Sequence, residues 1–196
     1  PTSILALADP RWKGRAAMAK PLFGTTATHA ACLFAAWGES KAKDFFQAVK
    51  RNDVQIASGN KQVALSVAAG RSAFGVTDTD DALIEVAKGM PVVIVWPDQG
   101  AHQLGTLLIP NTVAIIRGGP NPQAARRLVD SILSPDVETQ LAAGESAQIP
   151  LNRNGKPPAR LDMPAKLKTM KIDFDAAAEK WDATAEYLSD EFAGGS

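Results

Sequence analysis

Across 196 residues there is one cysteine, one tyrosine and two histidines, and no excess of either charge. A lone Cys32 excludes an intrachain disulfide and any cysteine-based zinc cluster. It sits in the apolar helical run "THAACLFAAWG", where it reads as a small buried hydrophobe. Lys plus Arg and Asp plus Glu number 21 each, so the formal net charge is zero. That balance leaves no basic footprint for nucleic acid and no acidic block of the kind that marks a disordered tail. No apolar run is long enough to make a bilayer-spanning helix. No secretory leader is visible, and Pro1 stands where an initiator Met would, which reads as a processed or shortened chain. His29 and His102 share no metal-ligand spacing, and no Gly-x-Ser-x-Gly occurs, so a histidine metal site and a Ser–His–Asp hydrolase find no support.

What is present is an ordinary globular composition, 45% hydrophobic and 21% charged, enough for one core or two small lobes. "GRAAMAKP" reads as a buried strand ending at Pro21, and "LFGTT" as a turn. Thr25 or Thr26 is the expected cap of a helix over Ala27–Trp37, broken by Gly38. "ESKAKDFFQAVKRN" has apolar residues at helical spacing. "VQIAS" is a strand, and "NKQVALSVAAG" a helix from an Asn60 cap to a Gly70 stop. "SAFGVT" and "DDALIEVAKG" repeat the strand–helix pair. This alternation predicts an α/β layer with a largely parallel sheet. "PVVIVWP" and "GTLLIPNTVAIIR" then read as two apolar strands with no helix between them. Helices resume at "NPQAARRLVDSIL" and "SPDVETQLAAG", each with Pro near its first position. A Pro-rich surface stretch follows, then one long helix, "DFDAAAEKWDATAEYLSDEFA", and a frayed "GGS" end.

The chemistry concentrates in three strand-to-helix loops. Phe23, Gly24, Thr25 and Thr26 form the first, Ser58, Gly59 and Asn60 the second, and Thr77, Asp78, Thr79, Asp80 and Asp81 the third. Small and hydroxylated residues at a helix start suit an anion or a polar ligand, because the first N–H groups of the helix have no internal acceptor. Plain helix capping explains the first two loops equally well. The acidic loop leaves three readings open. Asp78 or Thr79 caps the next helix, and Asp80 and Asp81 in its first turn complement the helix dipole, at roughly 0.3–1 kcal/mol each. The carboxylates accept hydrogen bonds from an organic ligand. Or Asp80 and Asp81 hold a hard cation through oxygen. The acids are the wrong sign for free phosphate, so a zwitterion or an ion pair would reconcile the loops.

The segments "LADPRWKGRAAMAKPLFGTT", "NDVQIASGNKQVALSVAAG", "SAFGVTDTDD", "PDQGAHQLGTLLIPNTVAIIRGGPNPQAARRLVDSILSPDVETQLA" and "AQIPLN" run in an order and spacing that resembles the type II periplasmic solute-binding proteins of bacterial ABC importers. The subgroup most similar is the ferric-iron-binding one. The resemblance implies an α/β lobe with a mixed, mostly parallel sheet flanked by helices, plus a remnant of the second lobe. It implies a ligand-binding lobe from residues 14–90 and 120–152, first-lobe strands and hinge over 91–118, and a C-terminal helical segment over 153–196. It also implies a periplasmic or extracellular receptor with a small-molecule or metal-ion ligand in an interlobe cleft, and a membrane permease as partner. Most of the N-terminal lobe is missing from the pattern, so weak binding and self-association, or pairing with the missing lobe, are expected. In the iron-binding subgroup two adjacent tyrosines ligate ferric iron. Asp80 and Asp81 stand at those positions, and the one tyrosine, Tyr187, is distant, so the iron chemistry is not implied.

An alternative is an Asp-dependent phosphotransferase, because an apolar strand leads into Asp78-Thr79-Asp80. Ala82 stands where that pattern wants Thr or Val, and "VVIVWPDQG" supplies only one later Asp. His29, near the start of its helix, and Trp96, at a strand end, are further candidates for ligand contact. Trp37, Phe45 and Phe46 read as core, and the Lys41–Lys43 and Arg126–Arg127 groups as solvated helix faces.

Overall fold

The computed structural model describes residues 1–145, 147–152, 155–156, 158 and 160–193. The "GGS" end and parts of the Pro-rich stretch lie outside the described residues.

Three short parallel strands make the sheet: β1 (Ala16–Ala19), β2 (Gln55–Ala57) and β3 (Phe74–Val76), in the order β2-β1-β3. Met18 sits opposite both Ile56 and Val76, which fixes the register. The central strand is buried along its whole length, as a parallel strand covered on both faces must be. Its side chains alternate between two cores: Ala16 and Met18 join one, Ala17 and Ala19 the other.

On the first face lie α1 (Gly24–Trp37) and α2 (Glu39–Arg51). α2 buries Ala42, Phe45, Phe46 and Val49, a stripe at helical spacing. Phe34, Phe45, Phe46, Tyr187 and Phe192 form a chain of ring contacts 5.2–6.2 Å between centroids. On the other face α3 (Asn60–Ala68) packs against β1, β3 and α4 (Thr79–Ala87). Gly75 permits this packing. A Cβ there would stand 2.3 Å from Val63 Cγ1 and 3.2 Å from the Ala17 carbonyl oxygen. Two 3-10 turns, Ile4–Ala8 and Pro10–Trp12, precede β1. Asn52 is buried and ties them down by donating to the Leu7 and Asp9 carbonyls at 2.8 and 3.0 Å.

Contacts divide the chain into two units, residues 1–109 with 165–196, and residues 110–164. The second unit holds α5 (Pro122–Ile132) and α6 (Pro135–Ala143). Ser134 caps α6, and the Glu138 carboxylate accepts the Leu151 and Asn152 amides at 3.0 Å each.

Several sequence expectations need correction. α1 begins at Gly24, with Phe23 at the cap position and no side-chain cap bond, so Thr25 and Thr26 lie inside its first turn. Gly24 makes that early start possible, at φ +56, where a Cβ would be strained. Asn60 is likewise the first residue of α3, and Gly59 occupies the cap position. The two apolar runs between Pro91 and Arg117 form no strand among the described residues. Their one ladder contact is the parallel bridge between Thr106 and Thr169. An extended run becomes a strand only when a neighbour takes its N–H and C=O groups, and no other described segment forms a ladder with these runs. The long final helix is two, α7 (Phe174–Glu179) and α8 (Trp181–Phe192), parted at Lys180.

Candidate functional site

The three strand-to-helix loops follow the C-terminal ends of adjacent parallel strands, so they emerge on one edge of the sheet. They enclose an open concavity of about 450 Å³. Its wall includes Gly24, Thr25, Thr26, Ser58, Asn60, Asp78 and Asp81, that is, all the predicted site residues except Asp80. Phe23, from the first loop, also lines it, as do Lys20, Lys61 and Gln62, which sequence reasoning did not single out. Phe23 sits in a turn between Leu22 and Gly24 with nothing local to pack on. It is 71% exposed at the mouth.

The starts of α1, α3 and α4 converge here. The first N–H groups of each helix lack an intrahelical acceptor, and each helix brings partial positive charge to its start. Lys20 and Lys61 add two full charges to the wall. Asp78 and Asp81 oppose them.

A hydrogen-bond network fixes the three starts relative to one another. The Thr25 hydroxyl donates to both Asp78 carboxylate oxygens, at 2.9 and 3.0 Å. The Asn60 amide nitrogen donates to Asp78 Oδ2 at 2.6 Å and to Thr25 Oγ1 at 2.9 Å. Thr26 Oγ1 donates to Asn60 Oδ1 at 3.3 Å, and Thr77 Oγ1 to the Asn60 carbonyl at 2.9 Å. Both amide protons of Asn60 are therefore used, and its carbonyl oxygen accepts. These bonds correct the expected division of labour in the acidic loop. Asp78 stands at the cap position of α4 yet makes no side-chain cap bond, because its carboxylate is turned to α1 and α3.

Carboxylate oxygens of Asp78, Asp80 and Asp81 lie within 4.8 Å of one another, all half-buried. Burial pushes the Asp81 carboxyl above the usual range. Asp80 and Asp78 add to that, and Lys61 pulls it back. Such a cluster has the donor set for a hard cation.

The other candidates fall elsewhere. His29 is half-buried, does not line the concavity, and has its imidazole held down at about 4 by burial, which the nearby Asp98 partly opposes. Trp96 is buried and also absent from the wall. His102 is exposed in its loop. Tyr187 packs on Phe34 and donates to the Lys43 carbonyl at 3.2 Å, a structural role. Cys32 is fully buried, and burial pushes its thiol up to about 11.

Solved structures share this fold. The apo ferric ion-binding protein A of Pasteurella haemolytica superposes with a TM-score of 0.83 at 19% identity, over 98% of this chain and 62% of its own. The ferric binding protein of Campylobacter jejuni gives 0.81 at 20% identity, over 96% and 62%. The periplasmic binding protein AfuA of Actinobacillus pleuropneumoniae, solved with exogenous fructose-6-phosphate bound, gives 0.82 at 26% identity, over 100% and 61%. The chain thus spans a little over three fifths of the length of each. No curated protein matches it in sequence. A family model matches residues 1–180, and its breadth and the α/β architecture agree: the chain belongs to the bacterial extracellular solute-binding protein family.

Proposed function

We propose that this chain is a solute-binding component of a bacterial ABC importer, working outside the cytoplasmic membrane and delivering to a permease. The solute is a small organic molecule that carries an anionic group and several hydroxyls. One observation carries this reading: three helix starts and two lysines converge on a concavity that Asp78 and Asp81, from one of those starts, also line. The helix starts suit the anion, and Asp81 suits hydroxyl donors. A wall of both signs rejects a bare anion and a bare cation, and accepts a solute with charge at one end. The volume fits a molecule of sugar-phosphate size. The 26% identical AfuA, solved with fructose-6-phosphate, supports the same class.

In this reading the lobe comprises residues 14–90 and 120–152, residues 91–118 are the crossing to the other lobe, and residues 153–196 are the C-terminal segment. Capture proceeds by closure on a ligand that touches both lobes, since only differential affinity shifts such an equilibrium. The chain acts as a receptor and not as a phosphotransferase. The Thr25 hydroxyl and the Asn60 amide engage the Asp78 carboxylate in a link between helix starts, and Ala82 stands where the phosphotransferase pattern wants Thr or Val. A second reading is a hard cation at Asp78, Asp80 and Asp81, favoured by their spacing.

The test is a titration of the ¹⁵N-labelled chain followed by NMR, which also reads weak binding. Fructose 6-phosphate should shift the Thr25, Thr26, Asn60 and Lys61 amides saturably, and fructose alone should not. A saturable response to Mg²⁺ or Fe³⁺ that Asp81→Asn abolishes, with none to any sugar phosphate, would install the cation reading instead. Turnover of a generic phosphate ester with Mg²⁺, lost in Asp78→Asn, would install the enzyme.

A further inference from the structure

Far along the chain from the concavity, one loop turns its carbonyls to a single point. In "DQGAHQLG", residues 98–105, the carbonyl oxygens of Gly100, Ala101 and Gln103 accept from Lys168 Nζ at 2.7, 3.1 and 2.5 Å. The three N–H donors of the ammonium match three backbone acceptors in number. Among the described residues no carboxylate forms a salt bridge with Lys168, so the charge is compensated by carbonyl dipoles.

The loop is built to hold this shape. The Gly100 amide donates to Gln103 Oε1 at 2.7 Å, and the Gln103 amide to the Gly100 carbonyl at 3.2 Å, which closes the turn from both sides. Gln99 grips the backbone of Lys168. Its Oε1 accepts the Lys168 amide at 2.8 Å and its Nε2 donates to the Lys168 carbonyl at 3.0 Å. Thr106 and Met170 complete the crossing with backbone bonds of 2.9 Å on either side of Thr169. Gly105, at φ +93, is required for the approach, because a Cβ would stand 2.7 Å from the Thr169 carbonyl carbon. The turn and the crossing bring the carbonyls near one another, and the ammonium supplies the charge that offsets their mutual repulsion.

We infer that Gly100, Ala101 and Gln103 form a backbone-carbonyl site for a monovalent cation of ammonium or potassium size, whose resident cation is the Lys168 ammonium. Carbonyl oxygens at these distances replace the hydration shell of such an ion. Three converging carbonyls repel one another when no cation lies between them, so the loop keeps its shape only while the site is filled. This inference does not depend on the identity of the transported solute.

Lys168→Met tests it on the full chain. Methionine keeps the apolar stem and vacates the Nζ position. Hydrogen exchange at the Gly100 and Gln103 amides should quicken by about tenfold or more, as expected for a locally opened segment, while β1 amides stay slow. Ammonium or potassium chloride should restore protection saturably. Tetramethylammonium chloride at equal ionic strength should not, since it is too large for the site. Lys168→Ala should open the loop in the same way. Unchanged exchange in both variants would overturn the inference, as would equal responses to ammonium and tetramethylammonium.

Discussion

Asn60 and Asp78 lie eighteen positions apart in the chain, on the starts of two different helices, and are joined by a 2.6 Å hydrogen bond. Thr25, from a third helix start, bonds to both. The three residues act as one lock, and removing one member leaves the others short of a partner. Asn60→Ala and Asp78→Ala should each cost about 1–2 kcal/mol of stability. In urea unfolding the double variant should cost less than the sum, with a coupling on the order of 1 kcal/mol. Strict additivity would show that the bonds do not act together.

Gly75→Ala tests the closeness of α3 to β3. The new methyl meets Val63 Cγ1 at 2.3 Å, and both groups belong to packed elements. Overpacking of this kind costs about 1–3 kcal/mol. Val63→Ala in the same chain makes room, so the double variant should regain part of the lost midpoint in thermal unfolding. A Gly75→Ala chain as stable as wild type would mean that α3 stands off further than described.

His29 gives the acid side of the stability profile. Its pKa falls from 6.5 to about 4 on folding, chiefly through burial. The folded state thus binds fewer protons than the unfolded state between those values. Stability is full above 6.5, falls as pH drops through that window, and levels below about 4 for this group. At about 1.4 kcal/mol per pH unit the loss amounts to roughly 3 kcal/mol. His29→Gln should flatten the slope of unfolding free energy between pH 6.5 and 4. An identical slope in the variant would remove His29 as its source.

The apolar runs after α4 leave large side chains in water. Val93 is 84% exposed and Ile116 83%. Unpaired extended segments of this composition seek strand partners. Light scattering of the 196-residue chain should show mass rising with concentration above 20.7 kDa. Val93→Lys with Ile116→Lys should suppress the rise. A monomer at every concentration would contradict this.

The first ninety residues were largely legible as sequence. Strands and helices there are short, alternate, and carry their own punctuation. Apolar spacing such as Ala42, Phe45, Phe46 and Val49 depends only on the helical repeat. A run of parallel strands joined by helices also brings the following loops to one edge, so the shared concavity was legible as soon as that pattern was. The resemblance to solute-binding proteins rests on these segments together with later ones out to Asn152, and the family match over residues 1–180 agrees with it.

What the residues could not decide were matters of partner choice. A cap signal such as Thr25, Asn60 or Asp78 states that a side chain can satisfy a helix start, not which start. Only the packed structure turned Asp78 away from its own helix and toward Thr25 and Asn60. Val93 and its neighbours had strand composition, yet a strand also needs an adjacent ladder, which is a property of other segments. Nothing in "AAAEKWDATA" announces the break at Lys180. The carbonyl site around Lys168 uses backbone atoms that every residue possesses, so no side-chain pattern could mark it. Local periodicity and composition are written residue by residue. Hydrogen-bond partners between distant elements are settled by which surfaces the core brings together.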